Sequence, residues 1–216
     1  MKEIAPDECV KNFKLKPNNK TLYRKYIKRF IDFLLTLIGL IVLLPIFLAI
    51  AIAIKLDSRG PVFFTQERLG INGKTFKIIK FRTMIVNAEH VGSGLFVESD
   101  DDKRITKIGL FLRKTSLDEL PQLLNILFGE MSIVGPRPPV TYYPYQGFEN
   151  YPDWAKKRFC TRPGLTGLAQ VVYRRSTSWD ERFVLDVLYV DTMSIFLDVK
   201  IFVSTFFKVA KQENIY

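Results

Sequence analysis

Cysteine and histidine are nearly absent. The 216-residue chain holds two cysteines, Cys9 and Cys160, far apart, and one histidine, His90. Two distant thiols exclude a disulfide framework and any CxxC metal pattern, and they suit a reducing, cytoplasm-facing location. One histidine excludes histidine-rich zinc sites and any Ser-His-Asp triad built around another histidine. His90 falls in a Gly/Ser-containing stretch and reads as a loop residue. Acid, base or nucleophile chemistry is therefore left to carboxylates, Lys, Arg or Tyr. Acidic residues are also in deficit, 22 against 32 Lys and Arg, for a formal net charge of +10. That excess fits a phosphate-rich partner: nucleic acid, an anionic membrane surface or a phosphorylated small molecule. There is no internal repeat and no low-complexity tract.

The most informative absence is local. Phe33 to Ile54 contains no charged residue over 22 positions, long enough to cross a hydrocarbon core of roughly 30 Å at about 1.5 Å per residue. Ala49-Ile50-Ala51 resembles a signal-peptidase site, but the run exceeds the usual signal core of roughly 7–15 residues and its basic leader is too long. Pro45 lies near the middle, where it removes a helix hydrogen bond and favours a kink. Both flanks are basic: Lys14 to Arg29 on one side, Lys55 to Arg82 on the other. The positive-inside tendency then places both in the cytoplasm. A helix that enters, bends at Pro45 and returns satisfies both features; a kinked single span is the alternative, since proline is tolerated in membrane helices.

Residues 1–20 read as a polar tail, 21–59 as the membrane helix and 60–216 as a cytoplasmic catalytic domain. Pro61 to Met84 predicts a β-hairpin, with strands at Val62 to Phe64 and Phe76 to Phe81 around Asn72-Gly73. Helical spacing runs over Ile105–Leu112 and Leu117–Phe128, the latter stopped by Gly129. Ser178 to Val190 predicts a further helix. Ile195 to Ala210 is apolar almost all round and suits a helix packed in the core or lying in the membrane interface. The class expected is α+β, mainly helical.

Three short patterns could carry chemistry. Ser116-Leu117-Asp118-Glu119 reads locally as a capping box. The same spacing puts two carboxylates at a helix start, where one could act as nucleophile or Mg²⁺ ligand. Gly135-Pro136-Arg137-Pro138 presents an arginine between rigid residues, which favours bidentate phosphate recognition; the plain reading is a surface arginine. Thr161 to Gly167, followed by Arg174-Arg175, offers glycines and cations, as does the hairpin cluster Lys77, Lys80 and Arg82; in isolation each is a solvated basic face. Together they describe a membrane-surface enzyme handling phosphates.

From Lys28 to Val203 the sequence resembles the bacterial sugar transferases called monotopic phosphoglycosyl transferases. The resemblance runs through Lys28-Arg29-x-x-Asp32, Ser58-x-Gly60-Pro61-Val62-x-Phe64-x-Gln66-x-Arg68-x-Gly70 and Phe76-Lys77-x-x-Lys80-Phe81-Arg82-Thr83-Met84. It continues through Leu112-Arg113-Lys114-x-Ser116 to Gln122, Gly135-Pro136-Arg137-Pro138, and Arg162-Pro163-Gly164-x-Thr166-Gly167-Leu168-Ala169-Gln170. It implies a re-entrant membrane helix hairpin broken near Pro45, interfacial amphipathic helices at the C-terminus and a catalytic dyad at Asp118 and Glu119. It implies a UDP-sugar donor, a polyprenyl phosphate acceptor, a phospholipid membrane as partner and no nucleic acid. In such enzymes an aspartate attacks the β-phosphate, UMP leaves, and the polyprenyl phosphate takes the phosphosugar from the aspartate. By the same resemblance Asp118 and Glu119 would serve Mg²⁺, or Glu119 would assist proton transfer, and Lys80, Arg113, Arg137 and Arg174 would contact substrate. Val171-Val172-Tyr173 precedes Arg174 where the family often carries a small polar residue and Gly. The catalytic domain would face the cytoplasm from the bacterial inner membrane. Galactose, glucose and modified N-acetyl sugars are all compatible.

A single apolar segment excludes the multi-span transferases that do the same net reaction. The non-enzymatic alternative is a basic tethered protein that binds anionic lipid or nucleic acid electrostatically.

Overall fold

A computed structural model describes residues 22–88, 102–173 and 178–210. The N-terminal tail, His90, Arg174 and Arg175 lie outside the described residues. A π-helical turn, Tyr23–Ile27, leads directly into helix α1, Lys28–Asp57. The hairpin strands β1 (Phe63–Leu69) and β2 (Thr75–Phe81) follow, then helix α2 (Lys107–Lys114), a 3₁₀ turn Leu117–Glu119 and helix α3 (Gln122–Phe128). Strand β3 (Ser132–Val134), the short helix α4 (Asp153–Lys156), strand β4 (Gly164–Thr166) and helices α5 (Leu168–Val172), α6 (Trp179–Thr192) and α7 (Ile195–Ala210) complete the order. The fold is mainly helical α+β with two small sheets.

Helix α1 is long and apolar enough to cross a membrane. It is not a buried core helix: Ile38, Ile41, Val42, Leu44, Leu48 and Ile52 are exposed. Its ends behave differently. Lys28, Asp32 and Thr36 are buried at the start, Ile50 and Ile54 near the finish. At the start, Arg29 donates to the carbonyls of Ile126 and Leu127, and Asp32 accepts from Ser132 Oγ and the Ile133 amide. At the finish, Ile50 and Ile54 pack with Phe81 and Leu112, backed by Phe47. The helix of 30 residues is about 45 Å long; both of its ends rest on the rest of the protein, and the residues around Pro45 are exposed. Pro45 lies within the helix, which runs as one element from Lys28 to Asp57.

The hairpin is antiparallel, with Phe63 opposite Phe81 and Leu69 opposite Thr75. Its first strand reaches further than the Val62 to Phe64 apolar cluster, because Gln66 and Arg68 pair with the apolar second strand. Asn72 and Gly73 take left-handed backbone in the turn, at φ 55 and 73. A side chain at Gly73 would also run into Phe148. The hairpin is fastened to α3 by Asn125, which is wholly buried. Its amide oxygen accepts from the Ile79 N–H, and its nitrogen donates to Lys77 O and Glu130 Oε2.

The short parallel pair β3 and β4, Ser132 opposite Gly164 and Val134 opposite Thr166, had no periodic signal, since each strand has three residues. Gly164 is required there: a Cβ on it would stand 2.1 Å from the Gly135 nitrogen. Around this pair, Val134, Leu168, Leu185, Tyr189, Leu197 and Ile201 form the largest core. Helix α6 begins with a complete capping box from Ser178 and Glu181. Helix α7 buries Leu197 and Ile201 and exposes Phe196, Val199, Phe202, Val203, Phe206 and Phe207.

Candidate active site

Asp118 and Glu119 sit on the 3₁₀ turn between α2 and α3. Ser116 enters this turn in the left-handed region (φ 56, ψ 15) and makes no side-chain cap bond. The capping-box reading therefore fails, and for a clear reason: Glu119 is taken by cations from elsewhere. The turn joins the two helices and brings its carboxylates to Lys80 of the hairpin and Arg137 of the proline-rich segment.

Lys80 comes from β2 and Arg137 from the Pro136–Pro139 segment. Glu119 Oε1 accepts from Lys80 Nζ at 2.7 Å and from Arg137 Nη2 at 2.8 Å. The same lysine stands 3.9 Å from Asp118 Oδ2. Four residues separated by up to 57 positions in the chain thus share one locus. Arg113, from the last turn of α2, lies close enough to favour the Asp118 carboxylate electrostatically. Arg137 is the most open of the group, its side chain 40% exposed, whereas that of Asp118 is 7% exposed. Arg174 lies outside the described residues.

The two carboxylates are driven apart. Burial raises the Asp118 carboxyl above its ordinary value; Lys80 opposes this, and the neighbouring Glu119 charge adds to it. Burial also acts to raise Glu119, but Arg137 and Lys80 outweigh it and hold that carboxyl well below the usual range. Glu119 is thus a fixed anion pinned by two cations. Asp118 is a buried carboxyl that gives up its proton less readily, and it is poorly solvated when it does. A pair of acids pushed in opposite directions is a recognised mark of divided chemical labour.

The hairpin's basic cluster divides by function. Lys80 turns to the dyad. Arg82 is buried and donates to the carbonyls of Arg59 and Ser58, closing the end of α1. Asp57, at that same end, accepts from the Ile108 amide at the start of α2. The membrane helix is thereby connected to the turn that bears the dyad through α2.

Sequence reasoning gave no role to Arg158, Asp186 or Asp198. Buried ionic residues are uncommon without a partner, yet the sequence does not disclose which of many acids and bases are buried. Arg158 pairs with Asp186 at 2.7 Å and Lys28 with Asp198 at 2.5 Å.

The sequence model of the family described as Bacterial sugar transferase matches residues 23–212, which takes in α1, the dyad and α7. The chain belongs to the bacterial sugar transferase family. It is 42% identical over 188 residues to the galactosyl transferase CpsE of Streptococcus agalactiae, a match covering 82% of this chain and 41% of that protein. It is 41% identical over 191 residues to the exopolysaccharide production protein ExoY of Sinorhizobium fredii, covering 82% and 83% respectively. The UDP-glucose:undecaprenyl-phosphate glucose-1-phosphate transferase of Xanthomonas campestris is 41% identical over 190 residues, covering 86% of this chain and 39% of that protein. The chain therefore spans about two fifths of the first and third relatives and most of the second.

Proposed function

We propose that this bacterial sugar transferase moves a sugar 1-phosphate from a UDP-sugar to a polyprenyl phosphate such as undecaprenyl phosphate, the first membrane step of a polysaccharide or glycoconjugate. The observation that carries this reading is the buried Asp118 beside the doubly paired Glu119, joined through the single short helix α2 to an apolar membrane-length helix.

In the first step an Asp118 carboxylate oxygen attacks the β-phosphorus of the donor. The bond from that phosphorus to the bridging oxygen breaks, and UMP leaves with the electron pair. In the second, a phosphate oxygen of the acceptor attacks the same phosphorus, the bond to Asp118 breaks, and polyprenyl diphosphate sugar departs with the carboxylate restored. A carboxylate approaching a pyrophosphate meets like-charge repulsion. Arg137 and Lys80 stand where they offset it, and Arg113 adds to the field at Asp118. Glu119 keeps the cations in place between turnovers.

Two adjacent carboxylates are hard oxygen donors and fit Mg²⁺, which is commonly held by one or two carboxylates plus substrate phosphates and water. Asp118 and Glu119 would hold it, and it would neutralise charge on the pyrophosphate.

The topology belongs to the same proposal. Residues 21–59 would enter the inner membrane and return near Pro45, leaving residues 60–216 on the cytoplasmic face. Support comes from the two anchored ends and bare middle of α1, and from the exposed aromatic face of α7, suited to an interface. Tags at residues 5 and 214 would then report the same side; opposite sides would establish a spanning helix.

The decisive experiment is UMP release by nanodisc-held protein given undecaprenyl phosphate, Mg²⁺ and a panel of UDP-sugars, with UDP-glucose and UDP-galactose first because of the names of the relatives. Acceptor-dependent UMP from one donor, abolished in Asp118→Asn, is the expected result. Near-normal turnover in that variant would overturn the nucleophile assignment.

A further inference from the structure

We infer that Arg158, anchored by Asp186, is a positioning residue that fixes the backbone of Arg137 and so pre-sets its guanidinium for the donor's pyrophosphate. The inference rests on the donor reading above and adds residues that it does not contain.

The starting point is a shortage of donors. Pro136, Pro138 and Pro139 have no backbone N–H, so the strap that carries Arg137 cannot fasten itself by an ordinary two-way ladder. Its carbonyls still need partners if the strap is to pack. All four are supplied from outside. Pro136 O accepts from the Gly164 amide at 2.9 Å and Pro139 O from the Leu69 amide at 3.0 Å. Arg137 O accepts from Arg158 Nη2 at 2.7 Å, and Pro138 O from Arg68 Nη1 at 3.1 Å. The strap is pinned at consecutive residues by β1, by the β4 segment and by two arginines.

Arg158 is the most constrained of these pins. It is 2% exposed. Nε and Nη2 both donate to Asp186 Oδ2, at 3.0 and 2.7 Å. Its guanidinium carbon lies 4.9 Å from the Phe159 ring centre and 4.6 Å from that of Phe183. A planar group with an anion at its edge and rings close by has one orientation, and that orientation delivers the remaining bond to the Arg137 carbonyl. Lysine has donors enough but lacks the plane and the fork, so it does not hold both bonds in one fixed orientation. Asp186 also neutralises Arg158, so the pin adds little net charge to the arginines already gathered near Arg137.

The consequence is pre-organisation. A surface arginine on a free loop must be ordered when its ligand binds, whereas Arg137 is presented on a backbone already fixed. Arg158 never touches the ligand; it acts through Arg137.

The test is a double-mutant cycle on the full chain in nanodiscs, with UDP as the probe. Arg158→Lys is expected to weaken UDP binding about tenfold. Combined with Arg137→Ala, it should add less than about twofold, because the group it positions is gone. The same cycle read in kcat/KM extends to variants that bind too weakly for titration. Losses that multiply in the double variant would overturn the inference, as would wild-type UDP affinity in Arg158→Lys. Should Arg158→Lys not fold, Asp186→Asn, which releases the anchor and keeps the guanidinium, carries the same expectations. A wild-type protein that binds no UDP would break the donor reading and not the strap; inorganic pyrophosphate then takes the place of UDP in the same cycle.

Discussion

Two buried clusters in this protein contain the same ingredients, carboxylates and cations, arranged to opposite effect. In the anchor cluster, Asp198 accepts from Lys28 and Tyr23 on one oxygen, at 2.5 and 2.7 Å, and from Tyr189 on the other, at 2.7 Å. It ties the start of α1 to α6 and α7. In the dyad cluster Glu119 accepts short bonds from Lys80 and Arg137, and the same Lys80 stands 3.9 Å from Asp118. A carboxylate gripped on both oxygens is a joint. The buried Asp118, raised by burial beside a depressed Glu119, is the carboxylate to which the proposed mechanism gives the attack.

The sharpest way to break this contrast is to remove each acid in turn. Asp118→Asn should lower turnover by at least about 10³-fold, since the attacking oxygen is lost, while the melting temperature stays at or above that of wild type. A fall in stability instead would make Asp118 a joint as well. Asp198→Ala should do the reverse. It leaves Lys28 buried without its anion and should cost about 3 kcal/mol of stability, seen as a lower denaturation midpoint, with the remaining folded protein still turning over.

Within the dyad cluster, Arg137→Lys keeps the charge and loses the fork. A loss of about tenfold in kcat/KM is expected, measured by UMP release; an unchanged rate would reduce Arg137 to a bulk electrostatic role.

The smallest effect expected is one of pH. The Asp118 carboxyl is raised above its ordinary value of 3.8, so the folded protein keeps this proton to higher pH than an exposed aspartate would. Attack needs the anion, and activity therefore falls as pH drops through that raised value. Glu119 is depressed below 4.5. Its contribution to stability is present above the unfolded-state value and is lost only as pH falls through the much lower folded one. Near the Asp118 value activity should decline while the Glu119 contribution to stability is still present. Parallel kcat/KM and near-UV circular dichroism profiles would check this; coincident loss of both would mean that acid inactivation is simply unfolding.

Legibility followed the range of the interactions. The extent of α7 was readable to the residue, since apolar spacing is a local property. The hairpin turn was readable because Asn72 and Gly73 tolerate left-handed backbone. The β3 and β4 pair was not, because three-residue strands have no period and their pairing spans 32 positions. Ser116 was misleading for a related reason. Its spacing to Glu119 satisfies the capping pattern, but Lys80 and Arg137 win the glutamate, and neither is local.

The sequence by itself determined an uncharged membrane-length helix, a strongly basic chain with few cysteines and one histidine, and the residues of a sugar transferase in order. These depend on composition and on spacings of a few residues, which each segment carries alone. Only the tertiary structure decided that Lys80 and Arg137 meet at Glu119 beside a buried Asp118, that both ends of α1 rest on one body, and that the proline strap is held by Arg158 and Arg68. Those outcomes depend on distances between residues far apart in the chain, and on a burial that exists only once the helices and the hairpin have packed.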